Sequence, residues 1–141
     1  MMRLILDANV IVSSLIKPEG IPGVILREIL FNNSHTLLLS EKIVNELRRV
    51  LRYPKVRKYI SLSDDQLDFW VTSLEMIAHD VCPRFQYDPI VLEEPDDDTY
   101  IITAIEGKAN CIISGDKHLL KLNPYKGLPI LKPSDFLKSS H

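Results

Sequence analysis

The chain has 141 residues, the size of one ordinary domain, long enough to bury a core without the help of disulfides or a structural metal. Hydrophobic residues at 45% and charged residues at 26% are globular usage, and five Gly and nine Pro exclude collagen-like or low-complexity character. A formal net charge of -2 excludes a uniformly basic nucleic-acid coat and leaves room only for a local basic stripe.

The opening Met1 to Asp7 holds an apolar run too short for a signal segment, and an acid interrupts it. No stretch approaches the ~20 apolar residues of a membrane span. Cys82 and Cys111 form no CxxC pair and read as small buried hydrophobes of a reducing compartment. A cytoplasmic protein with no membrane partner is expected.

Leu4-Ile5-Leu6 has the pattern of a strand covered on both faces. Val10 to Ile16 begins a helix, and Lys17-Pro18-Glu19-Gly20 breaks it. Ile21 to Phe31 is helical by the spacing of Val24, Ile25, Leu26, Ile29 and Leu30, and Asn32-Asn33-Ser34 stops it. Thr36 to Leu39 reads as a second strand. Ser40 is a good N-cap, followed by a helix with Ile43, Val44, Leu47, Val50 and Leu51 on one face. Ser63 with Gln66 forms a capping box ahead of a stripe of Leu67, Trp70, Val71, Leu74, Ile77 and Ala78. A short edge strand is expected near Asp80-Val81-Cys82, and Phe85 to Pro95 reads as a loop. Asp98 to Glu106 is helical, and Gly107 suits the position after its cap. Cys111 to Ser114 is a strand, Asp116 to Leu122 a short helix, and Pro129 to Leu131 a last strand. Strands alternating with helices imply an α/β fold with a parallel sheet of four to five strands between two helical layers. Such folds place ligands beyond the carboxyl ends of the strands.

Several acids stand in that zone. Asp7 ends the first strand and Asp116 follows the Cys111–Ser114 strand. Either alone would be a helix cap or a turn former; two at equivalent strand ends point to a site. On a helical wheel Glu46 flanks the apolar arc of its helix at about -60° from Ile43, a position for a solvated acid or for one leaning over the sheet. Asp96-Asp97-Asp98 opens a helix, with Glu93 and Glu94 just before. One acid there suits the helix dipole. Neighbouring charges at 4 Å cost about 4 kcal/mol at an effective dielectric of 20, and no Lys or Arg lies between Phe85 and Gly107. The run is therefore fully solvated or partly neutralised by a cation. Such an all-oxygen set suits Mg²⁺ or Mn²⁺. His118 reads as a surface helix residue.

Four segments resemble motifs of the PIN-domain family, in the family's order: Leu6-Asp7-Ala8-Asn9-Val10, Asn45-Glu46-Leu47, Asp96-Asp97-Asp98-Thr99-Tyr100-Ile101, and Ser114-Gly115-Asp116-Lys117-His118-Leu119-Leu120. The likeness spans residues 1–137 as a single PIN domain and leaves 138–141 as a tail. The chain is most similar to prokaryotic stand-alone PIN proteins, the VapC-like toxins of toxin–antitoxin pairs. The resemblance implies a three-layer α/β/α, Rossmann-like fold and a metal-dependent endoribonuclease. Carried over by position, Asp7, Glu46, Asp98 and Asp116 would be catalytic and hold one or two Mg²⁺ or Mn²⁺ ions. Asp98 is chosen for the family's spacing to Ile101-Ile102-Thr103-Ala104. Asp96 would be an outer-shell ligand or a solvated charge. Asn9 and Ser114 resemble residues that orient ligands from behind. The family also implies an RNA substrate, a cognate antitoxin partner and a homodimer.

Arg48, Arg49, Arg52 and Lys55 lie in a basic segment, Lys42 to Lys58, whose only acid is Glu46. It reads equally as a solvated helix face and as a phosphate track for RNA. Two other enzyme-like readings fit less well. A haloacid-dehalogenase-like phosphatase needs an acid where Asn9 stands. A response-regulator receiver needs an acidic pair after the first strand. The alternative from another class is a non-catalytic PIN-like module that binds RNA or protein.

Overall fold

The structure is a computed structural model and describes residues 1–32 and 34–140, Ser140 by its backbone alone. Asn33, in the expected helix stop, and His141, in the expected tail, lie outside the described residues.

Among the described residues, five strands form the sheet: β1 (Met2–Leu6), β2 (His35–Leu39), β3 (His79–Asp80), β4 (Cys111–Ile113) and β5 (Ile130–Leu131). Every pairing is parallel, in the order β3-β2-β1-β4-β5. Leu4 to Leu6, Leu37 to Leu39 and Cys111 to Ile113 are buried throughout, as continuous apolar strands covered on both faces must be.

The helices are α1 (Ala8–Ile16), α2 (Ile21–Phe31), α3 (Glu41–Leu51), α4 (Pro54–Arg57), α5 (Asp64–Ile77), α6 (Asp98–Glu106), α7 (Lys117–Leu120) and α8 (Pro133–Ser140). From β1 the chain steps outward to β2 and β3, then returns past β2 and β1 to β4. Right-handed crossovers put the helices of the outward and return paths on opposite faces. The return helix, α6, packs on β1, β2 and β4. The chain reverses direction between β1 and β4, where Leu6 is paired with Ile113 and the Asp7 amide donates to the Ile113 carbonyl at 3.1 Å. That reversal point is where open α/β sheets bind ligands.

Several elements differ from expectation. β3 lies at His79–Asp80, and the Val81 amide continues the ladder onto the Leu39 carbonyl at 2.8 Å. The short basic segment after Tyr53 contains α4. Ser40 sits at the N-cap of α3, but its hydroxyl accepts from Thr103 Oγ1 at 3.0 Å instead of capping the helix. Ser63 and Gln66 do form the capping box. Gly107 is not the left-handed residue after α6; Lys108 is, with φ 55°. Glycine is required at 107 for space, since a Cβ would stand 2.9 Å from Leu38 Cδ1 and from Val81 Cγ2. Helix α8 was not expected. Among its described side chains Phe136 is the buried one, set edge-on to the His35 ring at 6.0 Å, and a single buried position makes no period to read.

Candidate active site

Asp7 follows β1 and caps α1. Its Oδ1 accepts from the Val10 amide at 2.9 Å, and its Oδ2 accepts from the Ser114 hydroxyl. The residue is 3% exposed. Burial pushes its pKa up, the two hydrogen bonds oppose this, and the nearby Asp116 and Glu46 charges push it up further. The capping role and the place at the sheet edge are thus held by one side chain, an oxygen for each.

Ser114 links the two strand ends. Its oxygen donates to Asp7 and accepts from the Asp116 amide at 2.9 Å. Asp116 caps α7 through Oδ1, which accepts from the His118 amide at 2.8 Å. Asn9 is exposed on the first turn of α1.

Glu46 reaches the same edge from α3. Its Oε2 accepts from the Tyr100 hydroxyl at 2.5 Å, and that hydroxyl accepts from the Ala8 amide at 3.1 Å. Tyr100 is 2% exposed, and burial beside the Glu46 carboxylate pushes its pKa well up. One phenol therefore ties α6, α3 and the start of α1 together around the acids. Tyr100 stands in the third motif, but an aromatic residue on an apolar helix face reads from sequence as core, and nothing local marks its hydroxyl as a partner of Glu46.

The three aspartates separate sharply. Asp97 ends a 3₁₀ turn, Pro95–Asp97, and is buried. Its carboxyl is hydrogen-bonded to that of Asp116, while its Oδ2 is buried without a partner. Burial and the Asp116 contact push its pKa up to about 8. Asp116, which accepts from Asp97 and from the backbone amides of α7, is pushed down. The contact thus favours the neutral form of Asp97 and the ionised form of Asp116. Asp98 points elsewhere. Its Oδ1 accepts from the Val91 amide at 2.7 Å and its Oδ2 from the Ile90 amide at 3.2 Å, closing the 90–98 loop on itself. Asp96 is exposed.

A one-residue difference in register causes this. With Tyr100 at 0° and ~100° per residue, the buried Thr103, Ala104 and Ile101 span an arc from about -60° to 100°. Asp97 falls at about 60°, inside it, and Asp98 at about 160°, outside it. The expectation that Asp98 packs toward the sheet beside Asp7 and Asp116 is corrected: Asp97 takes that place.

The offsetting cations also come from outside the acidic run. Glu93 is paired with Lys121 at 3.0 Å and lies 3.2 Å from His118 Nδ1. Arg49, exposed on α3, has its cationic form favoured first by the Tyr53 side chain and then by the Glu46 and Asp96 charges.

Asp7, Glu46, Asp97 and Asp116 thus converge on one edge. Among the described residues, no three His, Cys, Asp or Glu side chains close into a metal-holding group as they stand. The donors nonetheless fit a hard cation. All are carboxylate oxygens, and the buried, unpartnered Asp97 Oδ2 beside Asp116 has the unmet need that an ion would satisfy. Asp7 and Glu46 keep free lone pairs after their present bonds.

A model of the PIN domain matches residues 3–118. The chain belongs to the PIN-domain family. It is 32% identical over 120 residues to the uncharacterized protein MJ1680 of Methanocaldococcus jannaschii, covering 85% of this chain and 74% of that one. Among solved structures, the fold superposes on VapBC2 from Rickettsia felis, bound to a DNA fragment from their promoter, with a TM-score of 0.55 and 13% identity, over 92% of this chain and 97% of that chain. The PIN domain of human SMG5 superposes with a TM-score of 0.46 and 11% identity, over 99% of each chain. PIN domains are commonly nucleases and typically use divalent metal ions.

The basic stripe of this PIN domain is largely occupied by its own acids. Arg48 pairs with Asp68 at 3.3 Å and with Glu75 at 2.9 Å. Arg52 pairs with Asp68 at 3.1 Å and lies 3.7 Å from Asp64. These bridges join α3 to α5. Arg49 and Lys55 are exposed.

Proposed function

We propose that this PIN domain is a Mg²⁺- or Mn²⁺-dependent endoribonuclease, with Asp7, Glu46, Asp97 and Asp116 as its catalytic, metal-holding carboxylates. The observation that carries the reading is the buried Asp97 carboxyl, one oxygen unpartnered, set against Asp116 at the carboxyl edge of the sheet. A fold does not keep a buried acidic pair for stability alone, because the repulsion costs it stability. One or two bound ions would activate water and offset the charge that grows on a phosphodiester during in-line attack.

The chain's own residues do the arranging. Ser114 fixes Asp7 against Asp116, and Tyr100 fixes Glu46 against the first turn of α1. Asp98 holds the loop that carries Asp97. Arg49, exposed and one helical turn beyond Glu46, is the cation of α3 best placed to meet an RNA phosphate approaching the acids.

The overall fold shared with VapBC2 supports the reading that this protein acts as the toxin of a toxin–antitoxin pair. Its partners would be RNA, a cognate antitoxin and a second copy of the chain, in the cytoplasm. Incubation of the purified protein with single-stranded RNA and Mn²⁺ should give cleavage that EDTA abolishes and that Asp97→Asn lacks. Cleavage that persists undiminished in EDTA would refute the reading.

A further inference from the structure

The segments that carry Asp97 and Asp116 repel each other at one point and attract each other at another. The repulsion is between the two carboxyl groups once the proton of their hydrogen bond is lost, as it must be for both to take a cation. The attraction lies four residues before Asp97 and five after Asp116. Lys121 Nζ stands 3.0 Å from Glu93 Oε1 and 3.3 Å from Oε2, and His118 Nδ1 lies 3.2 Å from Oε2. The loop behind Glu93 is hydrogen-bonded to itself. The Glu94 amide donates to the Val91 carbonyl at 3.2 Å and the Asp97 amide to the Glu94 carbonyl at 3.0 Å. The Asp98 carboxylate takes the Ile90 and Val91 amides, so residues 90–98 form one closed unit. A pull on Glu93 is therefore transmitted to Asp97.

We propose that the Glu93–Lys121 ion pair is a clamp that holds the Asp97 loop down on α7, so that Asp97 and Asp116 stay close enough to take one cation between them. Glu93 and Lys121 are positioning residues: neither touches the ion, and both act through the loop. The proposal rests on the metal-dependent reading above for the cation, but the clamp has a metal-free signature of its own.

The sign of one substitution separates a clamp from general electrostatics. Lys121 is a cation beside a cation site. If it acted only by its charge, Lys121→Gln would tighten Mn²⁺ binding, and Glu93→Gln would weaken it. A clamp predicts that both substitutions weaken it, by roughly two- to fivefold, the worth of one exposed ion pair. The double variant should then be no worse than either single one, because the second change has nothing left to break. Lys121→Arg, which keeps the pair, should bind like the wild type.

Calorimetric Mn²⁺ titration of the four variants and the wild type, without RNA, reads this directly. Amide hydrogen exchange of residues 90–98 in the metal-free protein reads the loop by itself, and it should quicken in both single variants. Tighter Mn²⁺ binding in Lys121→Gln, or unchanged loop exchange in both single variants, would overturn the clamp. If the wild type binds no Mn²⁺, the metal-dependent reading fails and so does the clamp's purpose, while the exchange data still decide whether the strap holds the loop.

Discussion

Asp97 and Asp116 meet carboxyl to carboxyl at the edge of the sheet, one from the turn before α6 and the other from the cap of α7. Asp98, the next residue, contributes nothing to that meeting and instead closes its own loop. The two neighbours should therefore fail differently. Asp97→Asn should lose Mn²⁺ affinity and RNA cleavage together while leaving the metal-free protein as stable or more so above pH 7. Asp98→Ala should lose about 1–3 kcal/mol of stability, since it leaves two amides without their acceptor. Urea unfolding beside Mn²⁺ titration distinguishes the two. If Asp98→Asn proves the variant that cannot bind metal while Asp97→Asn binds normally, the assignment is reversed.

The proton on the acidic pair makes stability depend on pH. Asp97 has a folded pKa of about 8 against an ordinary 3.8. Between those values the folded state holds a proton that the unfolded chain has lost, so stability falls as pH rises through that window. The buried Asp7 shifts in the same direction, and Asp116 in the opposite one. The melting temperature of the metal-free protein should thus decline from pH 5 to pH 8, and Asp97→Asn should flatten the decline. Mn²⁺ at pH 8 should raise the melting temperature, and EDTA should remove the gain. A melting temperature that rises from pH 5 to pH 8 in EDTA would contradict the assignment.

Ser114→Ala removes the donor to Asp7 and the acceptor for the Asp116 amide in one change. Both atoms are close to the buried strand ends, so the expected loss is about 1–3 kcal/mol. The Asp7 pKa should also rise further, because the Ser114 bond is the strongest influence holding it down. Carboxyl chemical shifts followed through a pH titration report this. An unchanged Asp7 titration would mean that the hydroxyl does not hold the carboxylate.

Tyr100→Phe keeps the buried ring and deletes the hydroxyl that joins Glu46 to the Ala8 amide. The fold should survive with a loss of about 1–3 kcal/mol. Cleavage should fall, since Glu46 is no longer held toward the other acids. Activity equal to wild type would show that Glu46 needs no such support.

The three arginines of α3 should not behave alike. Arg48→Gln and Arg52→Gln should each cost up to about 1 kcal/mol of stability through lost bridges to α5, with little effect on RNA. Arg49→Gln should spare stability and lower the slope of log affinity against log salt by about 0.7, one phosphate contact on a single strand. Filter binding across a salt series measures it. A loss of slope in Arg48→Gln equal to that in Arg49→Gln would restore the full stripe as a phosphate track.

The sequence by itself determined which segments are strands and helices wherever one periodic face exists. Leu4 to Leu6, the stripes of α2 and α3, and the Ser63 capping box are local patterns, and local patterns are set by neighbours in the chain. It also determined that Asp7 and Asp116 stand at equivalent strand ends, because parallel strands bring their carboxyl ends to one edge; that β1 and β4 are neighbours came from the sheet order. Where no local pattern exists, only the tertiary structure decided. Asp97 and Asp98 are both acids at the same helix start, and which one turns inward depends on how α6 rolls on β1, β2 and β4. That roll is fixed by Tyr100, Ile101, Thr103 and Ala104 packing against other elements. The basic stripe was legible as charge, but its partners Asp64, Asp68 and Glu75 lie on α5, a dozen or more residues further along the chain. Charge carries no periodicity that names its partner, so folding alone assigned Arg48 and Arg52 to α5 and set Arg49 beside Tyr53.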